Sequence, residues 1–169
     1  MKIVHVLPLL TKGGAERVVA DLANQAALAG HEVTLIAAYP VDSVQLRDSL
    51  YAKVQVFYVL DTAASKIKVY LSMLPWIWWH RCWLAQQDIL HCHLTYGSVF
   101  GNIVRFFWLV LHLHRPAIIE TYHSVGMAVP SLLRWVHAKM AARFDALVLM
   151  AEDDYWCKFI KRKSALPSA

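Results

Sequence analysis

The sequence is short of charge. Asp, Glu, Lys and Arg make up 17% of its 169 residues and hydrophobic types 58%, against about 25% and about 45–50% in ordinary soluble domains. A core of one domain's size leaves some of that apolar surface for another body, either a membrane or a further protein domain. Long apolar runs are also missing. A bilayer crossing needs about 20 uninterrupted apolar residues, and the greasiest stretches, 69–85 and 99–113, are broken by Pro75, His80 and Arg81 in one and by Arg105 and His112 in the other. The first residues, Met1 to Leu7, lack the small-residue cleavage site of a signal peptide and run directly into Gly13-Gly14. These absences lead to the expectation of a cytoplasmic chain, possible contact with the inner face of a membrane included.

Cysteine is scarce as well. Cys82, Cys92 and Cys157 are widely spaced, with no Cys-x-x-Cys, which excludes a disulfide framework or a zinc knuckle and leaves reduced thiols. Repeats, low-complexity segments and linkers are absent, so residues 1–160 read as one domain with a basic, polar tail at 161–169. Acidic residues are fewer than basic ones, giving a formal charge of +5. The cations gather at Lys66/Lys68, at Arg134/Lys139/Arg143, and at Lys158 with Lys161-Arg162-Lys163, a pattern that suits an anionic partner.

What is present is an alternation of short apolar runs with stretches of helical period, the signature of a parallel sheet covered by helices. Strands are expected over 2–7, 33–37, 54–60, 89–93, 117–122 and 146–150. In the first helix Ala15, Val18, Val19, Leu22, Ala23 and Ala26 form an apolar stripe, and Gly30 stops it. Further helices are expected over 43–50, over 63–86 with a kink or break forced by Pro75, over 96–113 as an apolar helix that is buried or docked, over 131–143 after Pro130, and from 152 to 160. The fold class is therefore Rossmann-like α/β/α, with a mostly parallel sheet of about six strands.

Ligands of such sheets bind beyond the carboxyl ends of the strands. There Gly13-Gly14 opens the first helix, where backbone N–H groups and the helix dipole can hold an anion, or where glycine simply makes a tight turn. A dinucleotide site would need Gly-x-Gly-x-x-Gly and an acidic residue after the second strand; the sequence has Ala37-Ala38-Tyr39 at that place, and no Gly-Lys-Ser/Thr closes a Walker loop. His123 stands where the fifth strand ends. It can exchange a proton or contact a substrate hydroxyl, or it can bond loop backbone. His91 and His93 face the same side of their strand, an arrangement that binds metals, but no third ligand stands near them in sequence, and no metal is expected. Trp76, Trp79 and Trp83 fall at i, i+3 and i+7, which predicts a shared helix face flanked by Arg81. That face serves either core packing or a membrane or interdomain surface.

In order along the chain, Gly13-Gly14-Ala15-Glu16-Arg17, Gly30-His31-Glu32-Val33, Asp88-Ile89-Leu90-His91-Cys92-His93 and Thr121-Tyr122-His123-Ser124 resemble the N-terminal, acceptor-side domain of GT-B glycosyltransferases of the family-4 type. The resemblance covers residues 1–160. It implies sugar transfer from a nucleotide-sugar to an acceptor hydroxyl in polysaccharide, lipopolysaccharide or lipid-linked glycan synthesis, of hexosyltransferase type, usually with retention and with no essential metal or other cofactor. It further implies that Gly13 and Gly14 face the donor's phosphate or sugar and that His123 is catalytic. Tyr96, Ser124 and Arg17 are the candidates for holding the acceptor. The family's donor site lies mainly in a C-terminal domain that these residues do not include, so the expected partners are that domain or a separate donor-binding chain, together with a glycan or lipid-linked acceptor and no nucleic acid. The chain alone is expected to lack transferase activity. A non-catalytic partner or membrane-docking module with the same fold is the alternative, and a small nucleotide-binding protein a weaker one.

Overall fold

The computed structural model describes residues 1–11, 13–41, 44–111, 116–123 and 143–150, with Val136, Lys139 and Met140. The helix expected over 152–160, most of the one expected over 131–143, Ser124, Cys157 and the tail lie outside the described residues. Among those described, β1 (Lys2–Val6), β2 (Glu32–Ala37), β3 (Gln55–Tyr58), β4 (Ile89–His93), β5 (Ala117–Tyr122) and β6 (Ala146–Leu149) form one sheet in the order β3-β2-β1-β4-β5-β6. Every pairing is parallel. The order reverses between β1 and β4, which opens a crevice at the carboxyl edge.

Alternation along the strands sorts side chains to two faces. On one, Val4, Val6, Ile36, Leu90, Cys92 and Ile118 are buried in a single core with residues of α3 (Lys66–Leu71), α4 (Met73–Trp79) and α6 (Leu94–Leu111). On the other, α1 (Gly14–Leu28) lays Val19, Ala20, Ala23 and Ala27 on Val33, Leu35 and Ala37, and α2 (Val44–Asp48) lies within the helix expected over 43–50. The stripe is rotated slightly from the sequence expectation, because alanines allow α1 to lie close to the sheet and Leu22, 41% exposed, is left at the rim. Gly30 follows the helix at φ +88°, a left-handed conformation that glycine adopts without the Cβ clash other residues meet.

The segment expected as one helix over 63–86 is three: α3, α4 and α5 (Arg81–Leu84). Pro75 is the third residue of α4. Its ring would collide with the carbonyl four residues back, which belongs to Leu71, the last residue of α3. The break therefore precedes the proline, at Ser72, whose hydroxyl donates to the Val69 carbonyl at 2.9 Å. A second break falls at His80, whose Nδ1–H donates to the Trp76 carbonyl at 2.8 Å.

This second break corrects the expected tryptophan face. Trp76 stacks on His80 at 3.9 Å and meets Phe100, Trp83 packs against Phe57, and Trp79 points outward, 77% exposed. The i, i+3, i+7 spacing holds only within one unbroken helix, and here it crosses a helix boundary. Trp78 joins Trp79 on the outward aromatic surface, with the Arg81 guanidinium 4.6 Å above its ring.

Helix α6 is apolar and long enough to span a bilayer by length and composition. One side of it is sheet core all the same. Gly97 and Gly101 lie against β4, where a Cβ at 97 would stand 2.8 Å from the Val6 carbonyl oxygen and one at 101 would stand 2.7 Å from Cys92 Sγ. Tyr96, Phe100, Val104 and Trp108 are buried, while Phe106, Leu109 and Val110 on the other side are exposed.

Candidate active site at the carboxyl edge

The loop from β1 to α1 straddles the sheet edge, with Leu9 packed in the α6-side core and Leu10 in the α1-side core. Gly13 caps α1 at φ −67° and ψ 157°, a conformation open to any residue, so glycine is not there to make a tight turn. The space a Cβ would take is occupied instead by the carboxylate end of the flexible Glu16 side chain. Thr11 Oγ1 donates to the other carboxylate oxygen at 3.3 Å. Over Gly14 there is open space. A carboxylate therefore rests at the helix N-terminus, where N–H groups and the dipole favour negative charge.

His123 follows β5, half-buried and close enough to Glu16 to feel its charge. Burial lowers the ring's pKa, and Glu16 pulls it partly back up. Behind His123 runs a line of histidines. His93 Nδ1 lies 3.0 Å from His123 Nε2, and His93 Nε2 lies 3.0 Å from His5 Nδ1. His91 Nε2 meets Thr121 Oγ1 at 2.7 Å, and its ring packs on His93 at 4.1 Å between centroids. Burial holds His5 down at about 3, with help from His91, and His91 at about 4. Burial and the neighbouring histidines push His93 lower still, so these rings are neutral at neutral pH.

The third histidine is one that sequence spacing does not reveal. His5 is opposite His91 in the β1–β4 register, across 86 residues of chain. Ligand atoms of His5, His91 and His93 lie within 4.8 Å of one another, close enough to share a cation; the nitrogen contacts above already join His5 to His93 and His91 to Thr121.

On the α6 side of the edge lies a cavity of about 300 Å³, lined by residues that include Leu9, Tyr39, Lys66, Tyr70 and Tyr96. Tyr96 is 3% exposed, and its hydroxyl is buried with no hydrogen-bond partner among the described residues. Burial and the neighbouring Tyr70 push its pKa upward. Directly before it, Leu94 turns the chain from β4 into α6 at φ 59°, a left-handed conformation that costs a non-glycine residue about 1–2 kcal/mol. Strain of this kind gathers at functional edges.

The structure thus brings Gly13, Gly14 and His123 to one side of the edge and Tyr96 to the cavity on the other. Arg17 is exposed on the first turn of α1. Arg81, Trp76, Trp79 and Trp83 belong to the α4–α5 region. Tyr39 and Tyr70 enter the candidate site without having been singled out by sequence, and Lys66, marked there only as part of a cationic cluster, joins them.

A family model for Glycosyltransferase Family 4 matches residues 12–153. The chain belongs to Glycosyltransferase Family 4. The match contains the Gly13-Gly14 loop, the β4 histidines and His123. Among solved structures, the chain is similar to a glycosyltransferase from Rickettsia africae ESF-5, at 14% identity and a TM-score of 0.59. That alignment takes in 98% of this chain and 50% of the other, so the chain spans half the length of that solved structure's chain. Comparison with curated proteins gives no match.

Proposed function

We propose that the chain forms the acceptor-side half of a glycosyltransferase cleft, in which a hexosyl group passes from a nucleotide-sugar to an acceptor hydroxyl with retention at the anomeric carbon. The observation that carries this reading is the juxtaposition of the Gly13-Gly14 helix start, Glu16 and His123 at the switch point of the sheet. The N-terminus of α1 offers N–H groups to a developing negative charge on the departing diphosphate. Its present occupant is the Glu16 carboxylate, which a bound phosphate would displace. His123 is neutral and sits at the same edge, where it can hold a sugar hydroxyl.

The acceptor takes the cavity beside Tyr96, whose unpaired hydroxyl suits a glycan or lipid-linked glycan acceptor, with Lys66 at the rim for a phosphate. The donor is bound mainly by a C-terminal domain or a separate chain, and the isolated chain turns over little or no nucleotide-sugar. The deciding experiment measures donor turnover in the complete enzyme with His123→Ala: loss of rate with an unchanged fold supports the reading, and unaltered turnover refutes it.

A second reading is favoured by a different observation. Trp78 on α4 meets Phe107 on α6 at 6.0 Å between rings, and around this contact Leu74, Trp79, Phe106, Leu109 and Val110 are exposed. Exposed aromatics with Arg81 among them suit the headgroup level of an anionic bilayer. The enzyme would then work at the inner face of the cytoplasmic membrane, or the chain would serve as a docking module alone.

A further inference from the structure

The edge histidine is joined to two buried histidines. His5, His93 and His123 form a chain with two hydrogen bonds, in which both nitrogens of His93 are engaged. Each neutral imidazole has one N–H and one lone pair. If His93 donates through one nitrogen it accepts through the other, so the two bonds point the same way, either both toward His123 or both away from it.

The inner end of the chain decides between these directions. Among the described residues His5 Nε2 is buried with no partner. With the bonds pointing inward, His93 Nε2–H would donate to His5 Nδ1, and His5 would carry its own proton on Nε2, leaving a buried N–H without an acceptor. With the bonds pointing outward, only a lone pair is left bare there. Among buried backbone groups, orphaned N–H donors are rarer than under-satisfied acceptors, and we apply the same order to the ring nitrogens.

We infer that His5 Nδ1–H donates to His93 Nε2 and His93 Nδ1–H donates to His123 Nε2, so that His123 carries its proton on Nδ1 and presents an N–H donor, not a base, to the cleft. His93 and His5 are then positioning residues acting through His123. The inference deepens the proposed transferase reading and rests on it for the identity of what His123 contacts. Its chemical content is that His123 binds an oxygen carrying negative charge or a lone pair, such as a sugar hydroxyl oxygen or a phosphoryl oxygen. The low pKa values of His5 and His91 agree with an uncharged chain.

The test reads tautomers directly. Two-bond nitrogen–proton correlation spectra of the ¹⁵N-histidine-labelled full-length protein at neutral pH distinguish a proton on Nδ1 from one on Nε2. The expected wild-type pattern is Nδ1–H for His5, His93 and His123; Nε2–H at His123 overturns the inference without any mutation. In His93→Phe, His123 should revert to the Nε2–H form favoured by a free side chain, and retention of Nδ1–H would show that His93 does not set it. His5→Phe, which keeps His93, should leave His123 as a mixture. Zinc(II) added at one equivalent should leave the spectrum unchanged, and a shift of all three histidines together would identify a metal-ligand set in place of the chain. In turnover by the complete enzyme, His93→Phe should lower kcat about tenfold while donor KM stays within about twofold, as expected for a group acting through another in the transition state. The tautomer result stands whether or not the transferase reading does.

Discussion

The Glu16 carboxylate lies over Gly13, and the missing Cβ of that glycine is the space it occupies. The glycine is thus kept for what approaches it, not for its backbone angles, and a phosphoryl oxygen competing for the same helix N-terminus meets the same requirement. Gly13→Ala should leave folding nearly intact, within about 1 kcal/mol, because the atom displaced is the end of a flexible side chain. Donor affinity should fall about tenfold or more. Chemical denaturation and donor titration of the complete enzyme check the two halves of the prediction, and equal affinity in the variant would remove the glycine from the donor site.

Gly97→Ala should behave in the opposite way. Its Cβ would meet the Val6 carbonyl oxygen at 2.8 Å and the Cys92 backbone at 3.1 Å, atoms that cannot swing aside. The expected loss is about 1–3 kcal/mol of stability or more, read as a lower urea midpoint.

Stability should also depend on pH through the histidines. Unfolded histidine titrates near 6.5, while burial holds His5 at about 3 and His91 at about 4. Between those limits the unfolded chain binds more protons than the native one, so stability rises with pH. It is fully present above about pH 6.5 and is lost as acid is added toward pH 4, by about 1.4 kcal/mol per pH unit for each histidine that stays neutral. Urea midpoints that do not move between pH 7 and pH 5 would contradict the burial of these rings.

Tyr96→Phe removes a hydroxyl that has no partner within the described residues, so the fold should be equally stable or slightly more so. If the cavity takes the acceptor, acceptor KM should rise about tenfold, the worth of one hydrogen bond lost with its site left unpaired. Steady-state kinetics at saturating donor measure it.

Trp79→Ala together with Leu109→Ala removes two side chains that are 77% and 73% exposed. Folding should change little, and sedimentation with anionic vesicles should fall severalfold if this surface meets lipid. Equal sedimentation of wild type and variant would assign the patch to another partner.

The sheet was legible in the sequence because each strand is a short apolar run between helical stretches; β4 and β5 fall on the expected residues. Family membership was legible in the order of four weak motifs. The break before Pro75 was half legible, since proline announces a break but its clash lies four residues upstream. The histidine chain was not legible at all. His91 and His93 give their common face away by alternation, but His5 joins them only through β1–β4 pairing, and no local pattern encodes register between strands 86 residues apart. The cavity escaped for a similar reason: Tyr96 was a candidate on its own, but Tyr39 and Tyr70 come from two other segments and nothing local joins the three.

That same β1–β4 pairing makes the histidines a clock for assembly. Strands β1, β2 and β3 are contiguous in sequence and can associate early, whereas His5 is enclosed only after β4 and β5 have closed on β1, the long-range step that loop entropy delays. An early species holding only the first three strands would leave His5 to titrate like a free side chain. Pulse-labelling of histidine C2 protons during refolding would therefore time the joining of the two halves of the sheet, with His5 protected at the moment the switch-point crevice comes into being.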